Sequence, residues 1–340
     1  MCQDEPVDGY DVAIVTHGHA DVVGVCLRAV ARLDPPPRSV TVFDNASSDG
    51  TAEAAAAAGV TDLRIVRSDR NIGFAAALNR VIASTPSAWL LSLNPDCAPR
   101  PDFARVLLEA AASHPRVGSV TGKLLRAEGP ALEETSTIDA AGMVVTPSGR
   151  HLDRGSGEPD DGRWDRPAAV FGGTGAATMY RREALDDVAF PGDEVFAETF
   201  FAYREDAELA WRLQWRGWSC RYVPTAVAAH RRGLRPEAGR RQPEAVNRYS
   251  VRNRFLLRLH CADVRWHLVC LPWWLVRDLV VVAACVTVER SSLPGLVDVV
   301  RLRTDWRQRR AWVLGRRTAP SRHISRWFRT GGRVKELETT

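Results

Sequence analysis

Three aspartates, Asp44, Asp96 and Asp206, stand where a carboxylate could do chemistry. Asp44 closes a predicted strand, where it could accept hydrogen bonds from a pyrimidine ring or a ribose. Asp96 follows another predicted strand, and as a hard oxygen ligand it suits magnesium or manganese beside a diphosphate. Asp206 falls in the first turn of a predicted helix that ends at Gly217, where a carboxylate could take the proton of an attacking hydroxyl. Together these three carboxylates are candidates for nucleotide binding, cation binding and proton transfer.

Each of these residues also has an ordinary structural interpretation. Polar residues after a strand are commonly turn formers and helix N-caps, and an acid in the first turn of a helix is favourable through the helix dipole alone. His230 follows a strand-like apolar run and could supply an imidazole ligand, but it is also typical of a packed or solvated histidine. No single one of these residues favours a functional site. Their order along the chain does.

Short apolar strands alternate with amphipathic helices over the first hundred residues. The apolar pattern predicts strands at 12–15, 40–43, 63–66 and 89–93, and helices at 21–33, 52–58 and 73–83. This βαβα order predicts an α/β fold with a mostly parallel sheet and right-handed crossovers. Because ligands bind where the carboxyl ends of such strands open, we expect the polar residues that follow them to meet at one edge.

The composition changes twice in the remainder of the chain. Residues 147–167 are rich in Gly, Pro, Asp and Arg and predict an exposed loop, and residues 171–218 resume folded structure. A mobile link is expected after Gly233, and helices with many Arg and Trp residues over 244–330. The predicted domains are therefore a sheet domain at 8–232 and a C-terminal helical region at 233–340.

Four segments, taken in order, resemble the signature segments of the family 2 glycosyltransferases. DNASSDGT at 44–51 matches D-N-x-S-x-D-G-T, and RNIGFAAALN at 70–79 matches R-N-x-G-x-x-x-A-x-N. LNPD at 93–96 stands where family members carry D-x-D or a variant, with Asn94 in place of the first acid. FFAYREDAEL at 200–209 resembles F-x-Y-x-E-D-x-x-L. The resemblance covers residues 10–230 and implies a GT-A fold.

The resemblance also implies roles for individual residues. It makes Asp206 the catalytic base, and it implies a divalent cation, Mg²⁺ or Mn²⁺, bound by Asp96 and His230. The implied donor is a nucleotide sugar, bound by Thr16, Asp44, Asn45, Arg70, Asn71, Gly73, Asn94 and Asp96. The implied acceptor, a carbohydrate or a lipid-linked molecule, lies near Gly173, Thr174, Glu205, Trp211 and Arg212.

The function implied by this resemblance is inverting transfer of a sugar to a hydroxyl group. The N-P-D form is common in rhamnosyltransferase-like members, so we expect L-rhamnose from dTDP-L-rhamnose, and a lipid-linked or cell-envelope glycan as acceptor. The alternatives are another sugar such as galactofuranose or glucose, a soluble natural product as acceptor, or a non-catalytic module that binds sugar nucleotides or glycans. The chain lacks the G-x-G-x-x-G of a dinucleotide fold, which argues against an NAD enzyme. Residues 214–218 miss the Q-x-x-R-W of processive synthases, which favours single additions.

Charge is distributed unevenly along the 340 residues. The net charge is +5, but residues 301–335 contain twelve Arg and Lys against one acid, which leaves −4 on residues 1–300. Such a tail suits an anionic surface, and we expect lipid headgroups and not nucleic acid. The ordinary interpretation is a solvated Arg-rich end, since 44 Arg against 2 Lys also suggest coding bias.

The cysteines and the start of the sequence bear on the compartment. The seven cysteines form no C-x-x-C pair, which argues against a zinc cluster or a disulfide framework. A reduced, cytoplasmic compartment is therefore expected. The first residues are acidic and carry no apolar core, so we expect no secretory signal.

A long apolar run covers residues 268–288. Its length would allow a membrane span, but Arg277 and Asp278 fall at its centre, where each charge costs about 2.5–3.5 kcal/mol. Pro272 also interrupts the run. One interpretation is a helical hairpin in the membrane interface, at the inner face of the cell membrane, with its two tryptophans at headgroup level. The other is a buried helix in a C-terminal bundle or in a homo-oligomer interface.

Overall fold

A mixed β-sheet forms the centre of the computed structural model, which describes residues 7–233, 243–329 and 335–336. Within these residues the sheet has eleven strands, and two further strands form a separate hairpin. The sheet strands are β1 (Val7–Thr16), β2 (Ser39–Asp44), β3 (Leu63–Arg67), β4 (Ser87–Leu93), β5 (Cys97–Pro99), β6 (Val117–Glu128), β7 (Glu133–Ala140), β10 (Ala168–Val170), β11 (Ala177–Arg181), β12 (Ser219–His230) and β13 (Lys335–Glu336), and the hairpin is β8 (Met143–Val145) with β9 (His151–Asp153).

Most of the central strands run in one direction. The order is β13-β10-β12-β6-β11-β4-β1-β2-β3, with β5 beside β12 and β7 beside β6. Between β3 and β12 in this order, six of the seven strands are mutually parallel and β11 is reversed. The predicted α/β fold with a mostly parallel sheet is confirmed, and the four strands predicted in the first hundred residues lie inside β1 to β4.

Helices cover both faces of the sheet. One face carries α1 (Val23–Val30), α2 (Thr51–Ala56) and α4 (Phe103–Ala112), and the other carries α3 (Phe74–Ile82), α5 (Arg182–Val188) and α6 (Glu205–Trp215). Each face of the sheet has its own hydrophobic core, and alternate residues of β1 point to the two faces. Val12 and Ile14 pack in the core on the side of α1, and Ala13 and Val15 pack in the core on the side of α3. The three predicted helices coincide with α1, α2 and α3 within a few residues.

The C-terminal helices share a hydrophobic core with α6. In the described part of the chain they are α7 (Glu244–Cys261), α8 (Val264–Val269), α9 (Leu271–Thr287), α10 (Leu293–Arg301), α11 (Arg303–Gly315) and α12 (Ser321–Arg329). Trp211 and Trp215 of α6 pack in one cluster with Leu256, Trp266 and Phe328. Helix α6 is therefore enclosed between the sheet and the C-terminal helices.

Two sequence expectations concern the connecting segments. The segment 147–167 is mostly irregular as predicted, although β9 lies within it. The link predicted after Gly233 falls at 234–242, outside the described residues. The helices predicted over 244–330 are present as α7 to α12.

Helix α9 has an inverted distribution of polarity. Its protein-facing side includes Trp274, Arg277 and Asp278, and Asp278 forms an ion pair with Arg258 of α7. Of the residues of α9, Cys285 alone is fully buried. The outward side is apolar and exposed, with Trp273, Leu275, Val276, Leu279, Val280, Val282 and Val286. Within this chain, α9 is therefore not the buried bundle helix that was one of the two interpretations.

The described helices were also compared with the requirements of a membrane span. Taken singly, none of them has both the length and the apolar composition to cross a bilayer. The pair Leu271–Thr287 and Arg290–Arg301, bent by 111°, meets the requirement together.

Candidate active site

The carboxyl ends of several strands meet along one edge of the sheet. Thr16, the last residue of β1, pairs with Asp44, the last residue of β2, and the end of β4 lies beside β1. Asn94 and Asp96 directly follow β4, and β12, which runs in the same direction, ends at His230. The strand-end residues predicted from the sequence therefore share one edge.

The loop before β11 connects this edge to α6. The backbone N–H of Asn94 donates to the carbonyl of Ala176 at 2.8 Å. Gly175, the residue before Ala176, donates its backbone N–H to Oδ2 of Asp206 at 3.0 Å. The N-terminus of α6 is thus held at the edge where the strands end.

Asp206 is half-buried, whereas the other residues of α6 are buried. Its Oδ1 accepts the backbone N–H of Ala207 at 2.7 Å, while Oδ2 accepts that of Gly175. Burial of the carboxyl group and the nearby charge of Asp153 raise the pKa of Asp206. The two backbone N–H groups and Arg204 lower this pKa by less, so the net effect is a rise. The result is a fixed carboxylate that is more basic than an exposed aspartate.

Glu205, the preceding residue, is buried at 6% exposure. Burial and the adjacent charge of Asp206 raise the pKa of Glu205 well above the ordinary range of a glutamate. Its Oε2 has no hydrogen-bond partner in the described structure. Burial and the neighbouring charge therefore make the carboxyl group of Glu205 harder to ionise.

A chain of ion pairs runs from the end of β4 towards Asp206. Nε2 of His230 lies 3.3 Å from Oδ1 of Asp96, and Nδ1 lies 2.8 Å from Oδ2 of Asp139. Arg232 bridges Asp139, at 2.9 Å, and Asp153, at 2.6 Å. Because Asp153 acts electrostatically on the carboxylate of Asp206, this network spans the candidate site.

The residues at one end of this network fit a divalent cation. Asp139 pairs with Nδ1 of His230, so Nε2 is the ring nitrogen that could bind a metal. A carboxylate in this position commonly orients a histidine ligand. Two ligands at right angles, each about 2.1 Å from a cation, are roughly 3 Å apart, close to the separation of Nε2 and the Asp96 oxygen. Burial alone would lower the pKa of His230. The carboxylates of Asp139 and Asp96 have the larger effect and raise this pKa to about 9. The site therefore favours positive charge.

The number of protein ligands at this position is small. No group of three or more His, Cys, Asp or Glu side chains suited to a metal occurs within the described residues. Magnesium-type sites commonly use one or two protein ligands and complete their shell with phosphate oxygens and water. Asp96 and His230 suit a cation that arrives with a diphosphate.

On the donor side, Asn45 holds the turn at 71–73. Its side-chain oxygen accepts the N–H of Ile72 at 2.8 Å, and its Nδ2 donates to Oδ1 of Asn71 at 3.0 Å and to the carbonyl of Gly73 at 3.2 Å. Gly73 has φ +89°, and a Cβ there would lie 2.7 Å from the carbonyl oxygen of Phe201. The side-chain amide of Asn45 thus positions the 71–73 turn. Through Gly73, this turn contacts Phe201 in the segment before Asp206.

Asp44 is fixed at the end of β2. Its Oδ1 accepts the backbone N–H of Ser47 at 3.0 Å, and its Oδ2 lies 3.7 Å from Nε of Arg67. Arg70, which was predicted to bind the donor, is exposed at the same end of the sheet. The carboxylate of Asp44 therefore has a defined orientation, whereas the side chain of Arg70 is exposed to solvent.

Thr16 and Asn94 complete the strand-end edge. The hydroxyl of Thr16 lies 3.2 Å from Nδ1 of His19, in the loop that follows β1. The side chain of Asn94 is partly exposed and has no hydrogen-bond partner within the described residues. Asn94 is thus available to a ligand, as its place in the LNPD segment predicts.

A sequence model of the glycosyl transferase family 2 matches residues 11–189, more than half of the chain. The chain belongs to glycosyl transferase family 2. The protein is therefore a glycosyltransferase, and nucleotide sugars are the donors that family membership supports.

Individual known proteins are similar to this glycosyltransferase. The N-acetylglucosaminyl-diphospho-decaprenol L-rhamnosyltransferase of Mycobacterium tuberculosis (strain CDC 1551 / Oshkosh) is 28% identical over 246 residues, which cover 66% of this chain and 76% of the relative. The mannosyltransferase PcManGT from Pyrobaculum calidifontis, solved with GDP-Man and Mn²⁺, has a TM-score of 0.50 at 17% identity, covering 92% of this chain and 86% of that one. GalNAc-T7, solved with UDP, GalNAc and Mn²⁺, has a TM-score of 0.56 at 14% identity, covering 77% of this chain and 49% of that one. The predicted GT-A fold is confirmed.

Two residues predicted on the acceptor side of the glycosyltransferase lie in its interior. Trp211 packs against Phe171 and Trp266 in the core beneath the C-terminal helices. Arg212 is 2% exposed and pairs with Glu208 at 2.7 Å. Both assignments are corrected, since neither side chain is accessible to an acceptor.

Gly173 and Thr174 shape the loop that holds Asp206. A Cβ on Gly173 would lie 2.2 Å from the hydroxyl oxygen of Thr178, so only glycine fits beside β11. Thr174 accepts that hydroxyl with its carbonyl at 2.7 Å and the N–H of Ala176 with its side chain at 3.2 Å. These bonds fix the backbone of Gly175 against the carboxylate of Asp206.

Sequence reasoning missed three members of the ion-pair network. Asp139 lies on β7 and Asp153 on β9, in segments where no motif marks them. Arg232 follows His230 by two residues, and this closeness was the signal that could have identified it. The three matter because they connect Asp96 and His230 to Asp206.

Proposed function

We propose that the chain is an inverting, metal-dependent glycosyltransferase in which Asp206 is the general base. The observation that carries this proposal is the half-buried carboxylate of Asp206, which two backbone N–H groups fix and which Asp153 links to the pair Asp96–His230. Asp206 would take the proton of the acceptor hydroxyl as that oxygen attacks the anomeric carbon. A single displacement of this kind inverts the anomeric configuration.

The cation would be held by Asp96 and His230. When bound, it supplies positive charge to the diphosphate of the donor. Asp139 orients the imidazole of His230 so that Nε2 faces Asp96. Asp44 and Asn94, at neighbouring strand ends, would bind the nucleoside part of the donor.

The sugar is proposed from the LNPD segment and from one relative. The Mycobacterium tuberculosis relative is named an L-rhamnosyltransferase that acts on N-acetylglucosaminyl-diphospho-decaprenol. We therefore propose dTDP-L-rhamnose as donor and a lipid-linked or cell-envelope glycan as acceptor. Galactofuranose, glucose and a soluble natural product remain the alternative substrates.

The exposed apolar side of α9 supports a location at a membrane surface. Its tryptophan and aliphatic side chains face away from the protein, and the residues after it are strongly basic. An apolar face beside basic residues is typical of helices that lie in the interface of an anionic bilayer. We propose a peripheral position at the inner face of the cell membrane, and a homo-oligomer that covers α9 is the alternative.

A panel of nucleotide sugars with manganese should identify the donor. We expect dTDP-L-rhamnose to raise the melting temperature by about 2–4 °C at a concentration of about 100 times its Kd. UDP-galactofuranose, UDP-glucose and GDP-mannose should each give a smaller rise. A larger rise with one of these would reassign the sugar. If no nucleotide sugar stabilises the protein or is hydrolysed by it, the proposed function is wrong.

The pH dependence of transfer should show the raised pKa of Asp206. Burial and Asp153 raise this pKa to about 6, and the base must be ionised to accept a proton. With saturating Mn²⁺, kcat/KM should fall about tenfold per pH unit below that value. Asp153→Asn removes the neighbouring charge and should move this acidic limb to lower pH. A limb near pH 4, the range of an exposed aspartate at about 3.9, would contradict the assignment.

A further inference from the structure

Five arginines lie together beside the N-terminus of α6. Arg204 directly precedes α6, Arg150 lies between β8 and β9, Arg254 and Arg258 stand one turn apart on α7, and Arg277 is on α9. Their charges act on one another: Arg254 and Arg150 lower the pKa of Arg204, and Arg277 and Arg150 lower that of Arg254. We refer to these five residues as the arginine cluster.

Most of the arginine cluster lacks acidic partners. Arg258 pairs with Asp278, but Arg150, Arg254 and Arg277 form no ion pair within the described residues. Nε and Nη1 of Arg254 and Nε of Arg277 are buried without a hydrogen-bond partner. Half-buried guanidinium groups that repel one another, and whose buried nitrogen atoms lack partners, are unfavourable, so the arrangement suits an anion that completes it.

One end of the arginine cluster reaches the catalytic residue. Arg204 is two positions before Asp206, and the charge of Asp206 raises the pKa of Arg204 against the effect of burial, leaving it at about 9. Nη1 of Arg204 lies 3.1 Å from Nδ1 of His151. Burial lowers the pKa of His151 well below its ordinary value, so this histidine orients Arg204 without adding charge.

The other end of the arginine cluster lies behind the apolar side of α9. Arg277 points into the protein towards Arg254, while its helical neighbours Val276 and Leu279 point outwards, each more than 60% exposed. If that outer side enters the surface of a bilayer, Arg277 lies at the depth of the lipid headgroups. A path of positive charge then leads from the headgroup region to Asp206.

We propose that the arginine cluster binds the diphosphate group of a lipid-linked acceptor, whose apolar chain remains in the bilayer beside α9. A diphosphate that joins a sugar to a lipid carries two negative charges, and its oxygens accept paired hydrogen bonds from guanidinium groups. A carboxylate or a single phosphodiester would neutralise only one of the unpaired arginines. The proposal rests on the proposed function, because it places the acceptor by reference to Asp206 as base.

Binding of inorganic pyrophosphate in the presence of EDTA tests the site itself. EDTA removes cations, so the ligands Asp96 and His230 no longer attract pyrophosphate. By titration calorimetry we expect Arg254→Gln with Arg277→Gln to weaken binding at least about tenfold, since each lost charged hydrogen bond costs about 1.5–3 kcal/mol. Arg301→Gln with Arg303→Gln removes equal charge from exposed positions and should leave binding unchanged. Equal weakening in both double variants would overturn the proposal.

Vesicles separate a diphosphate from an anionic membrane surface. Wild type should bind phosphatidylcholine vesicles that contain a polyprenyl diphosphate at least about tenfold more tightly than phosphatidylglycerol vesicles of equal charge. The Arg254, Arg277 double variant should lose this preference, and Arg150→Gln, on an irregular segment that tolerates substitution, should reduce it. Equal binding of wild type to both vesicles would overturn the proposal in favour of a general anionic surface. Hydrolysis of the nucleotide sugar should persist in every variant, and its absence from wild type would contradict the proposed function instead.

Discussion

Replacing Asp206 with asparagine is expected to lower kcat for sugar transfer about 10³-fold, within the range that general bases contribute. The asparagine keeps nearly the same shape but cannot accept the proton of the acceptor hydroxyl. Donor binding should persist, because the cation ligands and the strand-end residues are unchanged. Steady-state kinetics with saturating Mn²⁺ would measure the loss, and calorimetry the affinity for the donor.

Two further variants show whether this loss reports the base. Asparagine can accept only one of the two N–H groups that Asp206 accepts, so the melting temperature must be measured beside the rate. Asp206→Glu retains a carboxylate and should recover part of the activity. Glu183→Gln, at an exposed acid in the first turn of α5, should be nearly silent. Near-normal transfer by Asp206→Asn would exclude this residue as base.

Replacing Asp96 with asparagine should abolish the effect of manganese on donor binding. Substitutions around a metal site typically cost 10–100-fold in affinity, so we expect loss of a direct ligand to weaken donor binding in Mn²⁺ by about 100-fold or more. In EDTA the variant and the wild type should bind the donor equally weakly. Titration of each protein with the nucleotide diphosphate, with and without Mn²⁺, gives the four affinities needed.

Asp21→Asn provides the matched control for Asp96. Asp21 is an exposed carboxylate at the same edge of the sheet, where it pairs with Arg231, the neighbour of His230. Its substitution changes the local charge by the same amount without touching the proposed ligands, and it should leave the response to manganese intact. If Asp96→Asn still responded to manganese like the wild type, the cation would have to be held elsewhere.

The sheet and the strand-end residues could be predicted from the sequence because they depend on local patterns. Alternating apolar residues set each strand of the first hundred residues, and the βαβα order set their shared direction. The carboxyl ends of parallel strands then had to meet, which placed Thr16, Asp44, Asn94 and Asp96 at one edge. The helix of Asp206 was equally predictable, from its apolar spacing and from Gly217, which has the positive φ of a helix end.

The contacts between distant segments could not be predicted in this way. Asp139 and Asp153 join the site through pairings of β7 and β9, and no local pattern specifies which strands meet. The resemblance to the family placed Trp211 and Arg212 on the acceptor side, but it does not specify how the C-terminal helices pack. On α6, Trp211 is covered by those helices, and Arg212 is paired internally with Glu208.

The enclosure of α6 constrains how this enzyme could be recombined with its relatives. One side of the helix is shaped to the sheet and the other to the tryptophans and aliphatic residues of α7, α8 and α12. A chimaera that took its C-terminal helices from another family member would present unmatched side chains to the element that carries Asp206. We therefore expect that the C-terminal helices and α6 must be exchanged together, although some thirty residues of sequence separate α6 from α7.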